Sequence, residues 1–322
     1  MGPELFFERQ ARNRQLSFLI VLCFLLFFTL VGASVDYLYL DPFAGGVPSI
    51  PVATLVSLLF ASVMALSAYY SGSEWILRSF GAEPLDIQLP EHRELHNIVT
   101  EMALASGSRM PKVYVVFDPA PNAFATGRSE KDAAVCVTTG LLGLLSREET
   151  QGVVAHELAH IRNQDILLMT LVSILLGGIA LLSDWTQRSF YSVGERRRSR
   201  VKNLWLAIPA LLLIALSPLV SRLLAMAVSR QREYLADATA VEFTRNPHGL
   251  AKALERIRDA AMPFHRASRG TAHLFFVNPL RRKVDDREGR MADLLASHPP
   301  IASRIALLNQ RGGALPETGE RS

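Results

Sequence analysis

The chain has 322 residues, of which 49% are hydrophobic and 20% charged, with 34 Lys+Arg against 30 Asp+Glu for a net charge of +4. So much apolar content excludes an intrinsically disordered chain, and so small a charge excess excludes nucleic acid as the main partner. The two cysteines, Cys23 and Cys136, exclude a disulfide scaffold and a cysteine-ligated zinc finger.

The apolar residues lie in runs. Residues 1–15 read as a cytoplasmic segment carrying Arg9, Arg12 and Arg14, ahead of an uncharged run from Leu16 to Val35. About 20 apolar residues cross a bilayer as a helix. A secretory signal has an apolar stretch of only about 7–15 residues, so this run reads as a span, although Ala33-Ser34-Val35 imitates a cleavage site. A second uncharged run, Val52 to Tyr70, makes residues 16–70 a pair of spans whose connecting loop holds no Lys or Arg. Basic residues stay inside, which places the loop outside and the chain after Tyr70 in the cytoplasm.

Residues 71–165 read as the first part of a soluble domain. Leu95, Ile98, Val99 and Met102 recur at helical spacing between Glu91 and Ala105, with Gly107 beyond the end. Lys112 to Phe117 alternates as a strand does. Ala123–Thr126 and Ala133–Thr138 flank a polar turn and predict a hairpin. Ser146 and Glu149 form a capping-box pattern that starts the next helix. His92 and His96 fall on a face that reads as solvated, and Cys136 reads as core.

Two further uncharged runs, Ile166 to Ser183 and Leu204 to Ser221, flank a loop with Arg188, Arg196, Arg197, Arg198, Arg200 and Lys202. Two full spans would carry this basic loop outside, against the charge rule. A hairpin that enters and returns keeps it inside, and Pro209 and Pro218 favour a broken helix. The hairpin is the expectation for 166–221, with four full spans as the alternative; 222–322 then completes the soluble domain. The expected fold is an α+β membrane protein, mainly helical, with a small antiparallel β-sheet.

Within the capped helix, His156-Glu157-Leu158-Ala159-His160 is an H-E-x-x-H pattern. Residues four apart share a helix face, so both histidines can reach one metal ion, and Glu157 stands beside them to take a proton from the attacking water. A third histidine six residues on would complete one ligand set, but Ile166 holds that place. Asp165 stands too close to His160 to bend back to the same ion, and Asp184 and Glu195 belong to the basic loop. The next carboxylate is Glu233, followed four residues later by Asp237, which is placed to accept the other N–H of a metal-bound histidine.

These motifs, with Asn122-Ala123-Phe124-Ala125-Thr126-Gly127, Arg232-Glu233-Tyr234 and Ser297-His298-Pro299-Pro300 followed by Arg304, resemble the HtpX-like integral-membrane zinc metallopeptidases, a family that includes the CAAX prenyl endopeptidases. Phe6-Phe7-Glu8-Arg9-Gln10 looks like a bacterial branch of it. The resemblance implies a zincin-type metalloprotease domain with one zinc ion per chain on His156, His160 and Glu233, Glu157 as general base, and Asp237 orienting a zinc histidine. It further implies that Asn122, Ala123 and Phe124 hold the substrate as an added strand, which fits their reading as an exposed strand edge. His298 would bond the substrate carbonyl or developing oxyanion, with Arg304 in support.

The expected function is hydrolysis of membrane-associated or misfolded polypeptides in proteolytic quality control. Its setting would be a bacterial inner membrane, with the lipid bilayer as partner and the site on the cytoplasmic side. The oligomeric state is left open. The alternatives are a catalytically silent zinc-binding membrane scaffold, a prenyl-peptide-type endopeptidase, and a transporter; the four runs lack the internal charges a transporter needs.

Overall fold

The computed structural model describes residues 3–37, 50–179, 230–260, 262, 274–277 and 299–312. The basic loop, the fourth apolar run and His298 lie outside the described residues, and with them the choice between a hairpin and two further spans.

Helix α1 (Pro3–Val35) and helix α2 (Val52–Phe80) are the two long apolar helices. The segment read as cytoplasmic, residues 1–15, is from Pro3 onward the first part of α1. Only 22% and 17% of their most apolar stretches are buried, which separates them from the core helices of a soluble protein. Leu22, Leu26, Leu55, Leu59, Phe60 and Leu66 face outward, a surface suited to lipid. The inner faces pack through small residues, Ala61 and Ala68 among them; a Cβ on Gly32 would stand 2.6 Å from the Thr54 Cα, so glycine is what lets the backbones approach. Helix α2 continues ten residues past the expected end of its span and stops at Gly81, whose left-handed φ of 65° ends it.

The soluble part is built on a four-stranded sheet, β1 (Glu83–Pro84), β2 (Lys112–Val116), β3 (Ala123–Thr126) and β4 (Ala134–Thr138), in the order β1-β2-β4-β3. The hairpin expected around Gly127 is present, with Ala123 opposite Val137 and Thr126 opposite Ala134. The sheet is mixed and not antiparallel throughout, because the β3–β4 hairpin docks onto β2 through β4, which then runs parallel to it. Cys136 lies buried in β4, as expected of a core residue.

On this sheet pack α4 (Thr139–Leu144) and α5 (Arg147–Arg162), and α3 (Pro90–Ser106) packs on α5. Beyond α5 come α6 (Asp165–Leu171), α7 (Arg230–Thr244), α8 (Pro247–Ala260) and α9 (Ile301–Gly312). The capping box at α5 is formed in both directions, Ser146 to the Glu149 amide and Glu149 to the Ser146 amide. Helix α5 is the centre of the domain: its Val153, Val154, Leu158 and Ile161 share one core with residues of α3, α7 and α8. Its close approach to α8 rests on Gly152, where a Cβ would lie 3.0 Å from the Leu250 Cα and N. Gly152→Val is therefore expected to force the two helices apart, at a cost of about 1–3 kcal/mol, read as a lower thermal unfolding midpoint.

After α5 the chain turns at Gln164, a non-glycine residue at φ 58°, and enters α6, which continues through a π-helical turn, Val172–Leu176. Leu168, Leu171, Val172 and Leu175 then pack against Ile20, Phe24 and Phe27 of α1 and Ala61 and Ala68 of α2. The helix carrying the two histidines thus leads within one turn into a helix packed on both apolar spans.

Candidate metal centre

His156 and His160 lie one turn apart on α5 with their Nε2 atoms 3.2 Å from each other. Helix α7 brings the Glu233 carboxylate to the same point, one oxygen 3.7 Å from the His156 Nε2 and the other 3.7 Å from the His160 Nε2. All three side chains are buried, and their ligand atoms lie within 4.8 Å of one another. Two imidazole nitrogens on one tetrahedral ion, each at about 2.0–2.1 Å, stand about 3.3 Å apart. The spacing of the two Nε2 atoms meets that requirement, and the two-imidazole, one-carboxylate donor set leaves a position for water.

What aims the imidazoles is the pair of carboxylates behind them. The His156 Nδ1 lies 2.9 Å from Asp237 Oδ1, and the His160 Nδ1 lies 3.1 Å from Asp165 Oδ2. Each histidine then donates its Nδ1–H backwards and turns the Nε2 lone pair towards the shared point. Asp237 was legible as such a partner from its spacing to Glu233. Asp165 was not: it does bend back towards the site, but onto the rear nitrogen of His160 and not onto the metal position.

Asp237 is itself held by Arg304 of α9. The guanidinium makes a fork of two bonds, Nε to Oδ2 at 2.8 Å and Nη2 to Oδ1 at 2.6 Å, and its Nη1 donates to the Phe276 carbonyl at 3.2 Å. Arg304 is only 1% exposed, so the expectation that it serves substrate binding in support of His298 is corrected: it stands behind His156 and Glu233, as the counter-charge of Asp237. Burial would raise the Asp237 pKa, but the Arg304 charge and the bonds to it and to His156 bring it down to about 2.

Burial pulls the His156 imidazole down, yet its hydrogen bond to Asp237 and the nearby Glu233 carboxylate outweigh that and carry its pKa up to about 9, so an ion that takes the Nε2 lone pair displaces a proton from it. Glu157 is buried beside the two histidines, and burial lifts its carboxyl above the ordinary range against the pull of His156 and His160. A carboxylate so desolvated is a stronger proton acceptor than one in water.

The strand edge read as exposed is covered. All of β3 is buried, and residues 274–277 lie along it: the Phe276 amide donates to the Ala123 carbonyl at 2.8 Å, and Phe275 bridges Phe124 in antiparallel fashion. The Asn122 carboxamide completes the pairing, donating to the Val277 carbonyl at 2.9 Å and accepting from the Val277 amide at 3.2 Å. Buried Phe275 packs edge-on against Phe80 and Phe124, and Phe276 against the His156 ring. A run as short as Leu274–Val277 has no period to betray a strand. His92 also departs from its reading: it is buried and its Nδ1 accepts the Asp86 amide at 3.2 Å, while His96 is exposed as expected.

The sequence pattern of Peptidase family M48 matches residues 90–312, a stretch that contains every residue placed at this centre from α5 to α9. A protease HtpX homolog of Caldanaerobacter subterraneus subsp. tengcongensis is 43% identical over 312 residues, 96% of this chain and 98% of its own. Another, of Dictyoglomus thermophilum, is 40% identical over 314 residues, 97% of each chain. The crystal structure of S. mikatae Ste24p is similar at 20% identity and a TM-score of 0.48, covering 86% of this chain and 63% of that one. Matched by the family over most of its length and by HtpX-type proteases over nearly all of it, this chain belongs to peptidase family M48 and is a membrane-associated metallopeptidase.

Proposed function

We propose that the chain is a zinc-dependent endopeptidase of the bacterial inner membrane that cuts membrane-associated or misfolded polypeptides at the cytoplasmic face, a task of proteolytic quality control. The observation that carries the reading is the convergence of two Nε2 atoms and the Glu233 carboxylate beside buried Glu157, on a helix that leads directly into the membrane-side bundle. The bacterial relatives and the basic residues ahead of the first span support the location.

His156, His160 and Glu233 would hold the ion, with Asp237 and Asp165 fixing the two imidazoles. Zinc, when bound, supplies Lewis acidity, polarising the scissile carbonyl and making water acidic near neutral pH. Glu157 takes the proton of the attacking water on a carboxylate oxygen and passes it to the leaving amine. Asn122 and Ala123 already hold residues 274–277 through carboxamide and main-chain bonds of the kind a peptide would use, which supports the β3 edge as the peptide's place once 274–277 leaves it. His298 would bond the substrate carbonyl or the developing oxyanion. A purely structural zinc site would have no use for a buried carboxylate at Glu157, which disfavours the silent scaffold.

The test uses the full chain purified in detergent under chelation. Digestion of unfolded casein is expected to be absent with excess chelator, to return on adding zinc, and not to return with magnesium, which is poorly matched to imidazole ligands. Digestion that persists in excess chelator would overturn the proposal.

A further inference from the structure

The two histidines are supported by two chains of hydrogen bonds that end in different parts of the molecule. Behind His156 stand Asp237 and then Arg304, both in the soluble domain. Behind His160 stands Asp165, and the second oxygen of Asp165 is held by Asn13 of α1: the Asn13 Nδ2 donates to Asp165 Oδ1 at 2.5 Å and lies 3.4 Å from the Asn163 carbonyl. Asn13 is 7% exposed and Asp165 1%. The orientation of the carboxamide follows from its partners, since a flip would set its oxygen against a carboxylate and a carbonyl. Asn13 lies three residues before the first membrane run, on the helix that packs against α6.

We infer that Asn13 is a positioning residue of the metal centre: through Asp165 it fixes the His160 imidazole, so that the first membrane helix is part of the apparatus that holds the ion. The inference rests on His160 being a metal ligand. A buried carboxylate has two oxygens to satisfy, and Asp165 needs one of them free of competition to accept from His160. Asn13 occupies the other with a neutral donor. The pair also locks the carboxylate plane, because its two ends are held by groups on two different helices. Losing Asn13 leaves Asp165 Oδ1 without its short directional donor, and although the buried Arg232 charge still acts on Asp165, the plane of the carboxylate and with it the aim of His160 are no longer fixed from α1. Outer partners of metal-ligating histidines are typically worth about 10–100-fold in affinity.

The experiment measures zinc affinity of the full-length protein in detergent, by competition with a chromophoric chelator, for wild type, Asn13→Leu, Asp165→Asn and the double variant. Asn13→Leu is expected to bind zinc about tenfold more weakly with kcat reduced and KM for an unfolded polypeptide unchanged. In the Asp165→Asn background, Asn13→Leu is expected to have no further effect on zinc affinity, because the residue acts only through Asp165. A purely structural role would lower affinity equally in both backgrounds, and that result overturns the inference, as does an Asn13→Leu affinity within twofold of wild type. Elution volume and helical content by circular dichroism of each variant show that it is folded; should Asn13→Leu not fold, Asn13→Ser enters the same cycle. If wild type itself binds no zinc, the metal assignment falls first and this inference with it, whereas tight binding unaffected by Asn13 overturns this inference alone.

Discussion

Glu157→Gln is expected to reduce peptide hydrolysis by about 10²–10⁴-fold while leaving metal content unchanged. The substitution keeps size and shape, so the α5 core around Val153, Val154 and Leu158 is undisturbed. It removes only the capacity to take and return a proton. Glu157 makes no part of the ligand set that brings His156, His160 and Glu233 within reach of one ion. Burial has already raised the carboxyl pKa towards the proton-accepting range, and an amide has no counterpart to that property. The checks are casein digestion and zinc content measured on the same preparation. A variant that retains zinc and cuts at the wild-type rate would remove Glu157 from the mechanism; one that loses zinc would make it a structural part of the site.

Local spacing carried most of what was readable beforehand. His156 and His160 four apart, Glu157 between them, and Glu233 with Asp237 four apart each need only one helical turn to be correctly arranged, and α5 and α7 provide those turns. The hairpin flanking Gly127 and the capping box at Ser146 are local in the same sense. What escaped depends on distant contacts or on unusual backbone. Asp165 reaches the rear of His160 because Gln164 takes a left-handed conformation, which nothing about a glutamine announces. Asn13 meets Asp165 across 152 positions of sequence. The cover over β3 comes from residues 274–277, whose pairing with Ala123 and Asn122 is again long-range. Sheet direction belongs to the same class: the hairpin was legible, but which of its strands would dock on β2 was a matter of tertiary packing.

Arg304→Leu is expected to be among the most damaging single substitutions outside His156, His160 and Glu233. The guanidinium and Asp237 form a buried, bidentate pair with the acid 4% exposed, and Arg304 also satisfies the Phe276 carbonyl. Removing one partner of a buried pair strands much of the other's charge, at a cost of up to about 3–5 kcal/mol, and leaves Asp237 with the His156 Nδ1–H as a remaining partner. Leucine supplies neither the charge nor a donor. Lysine supplies the charge without the fork, so Arg304→Lys is expected to recover only part of the loss. The damage should also reach the metal, since Asp237 freed from Arg304 no longer holds a fixed position against the His156 Nδ1. Pairing the change with Asp237→Asn removes the stranded charge, and the double variant is expected to unfold at a higher temperature than Arg304→Leu alone while binding zinc no better. Thermal unfolding and chelator competition on the three variants separate the two effects. Equal unfolding temperatures for Arg304→Leu and the double variant would show that the stranded Asp237 charge is not the source of the loss.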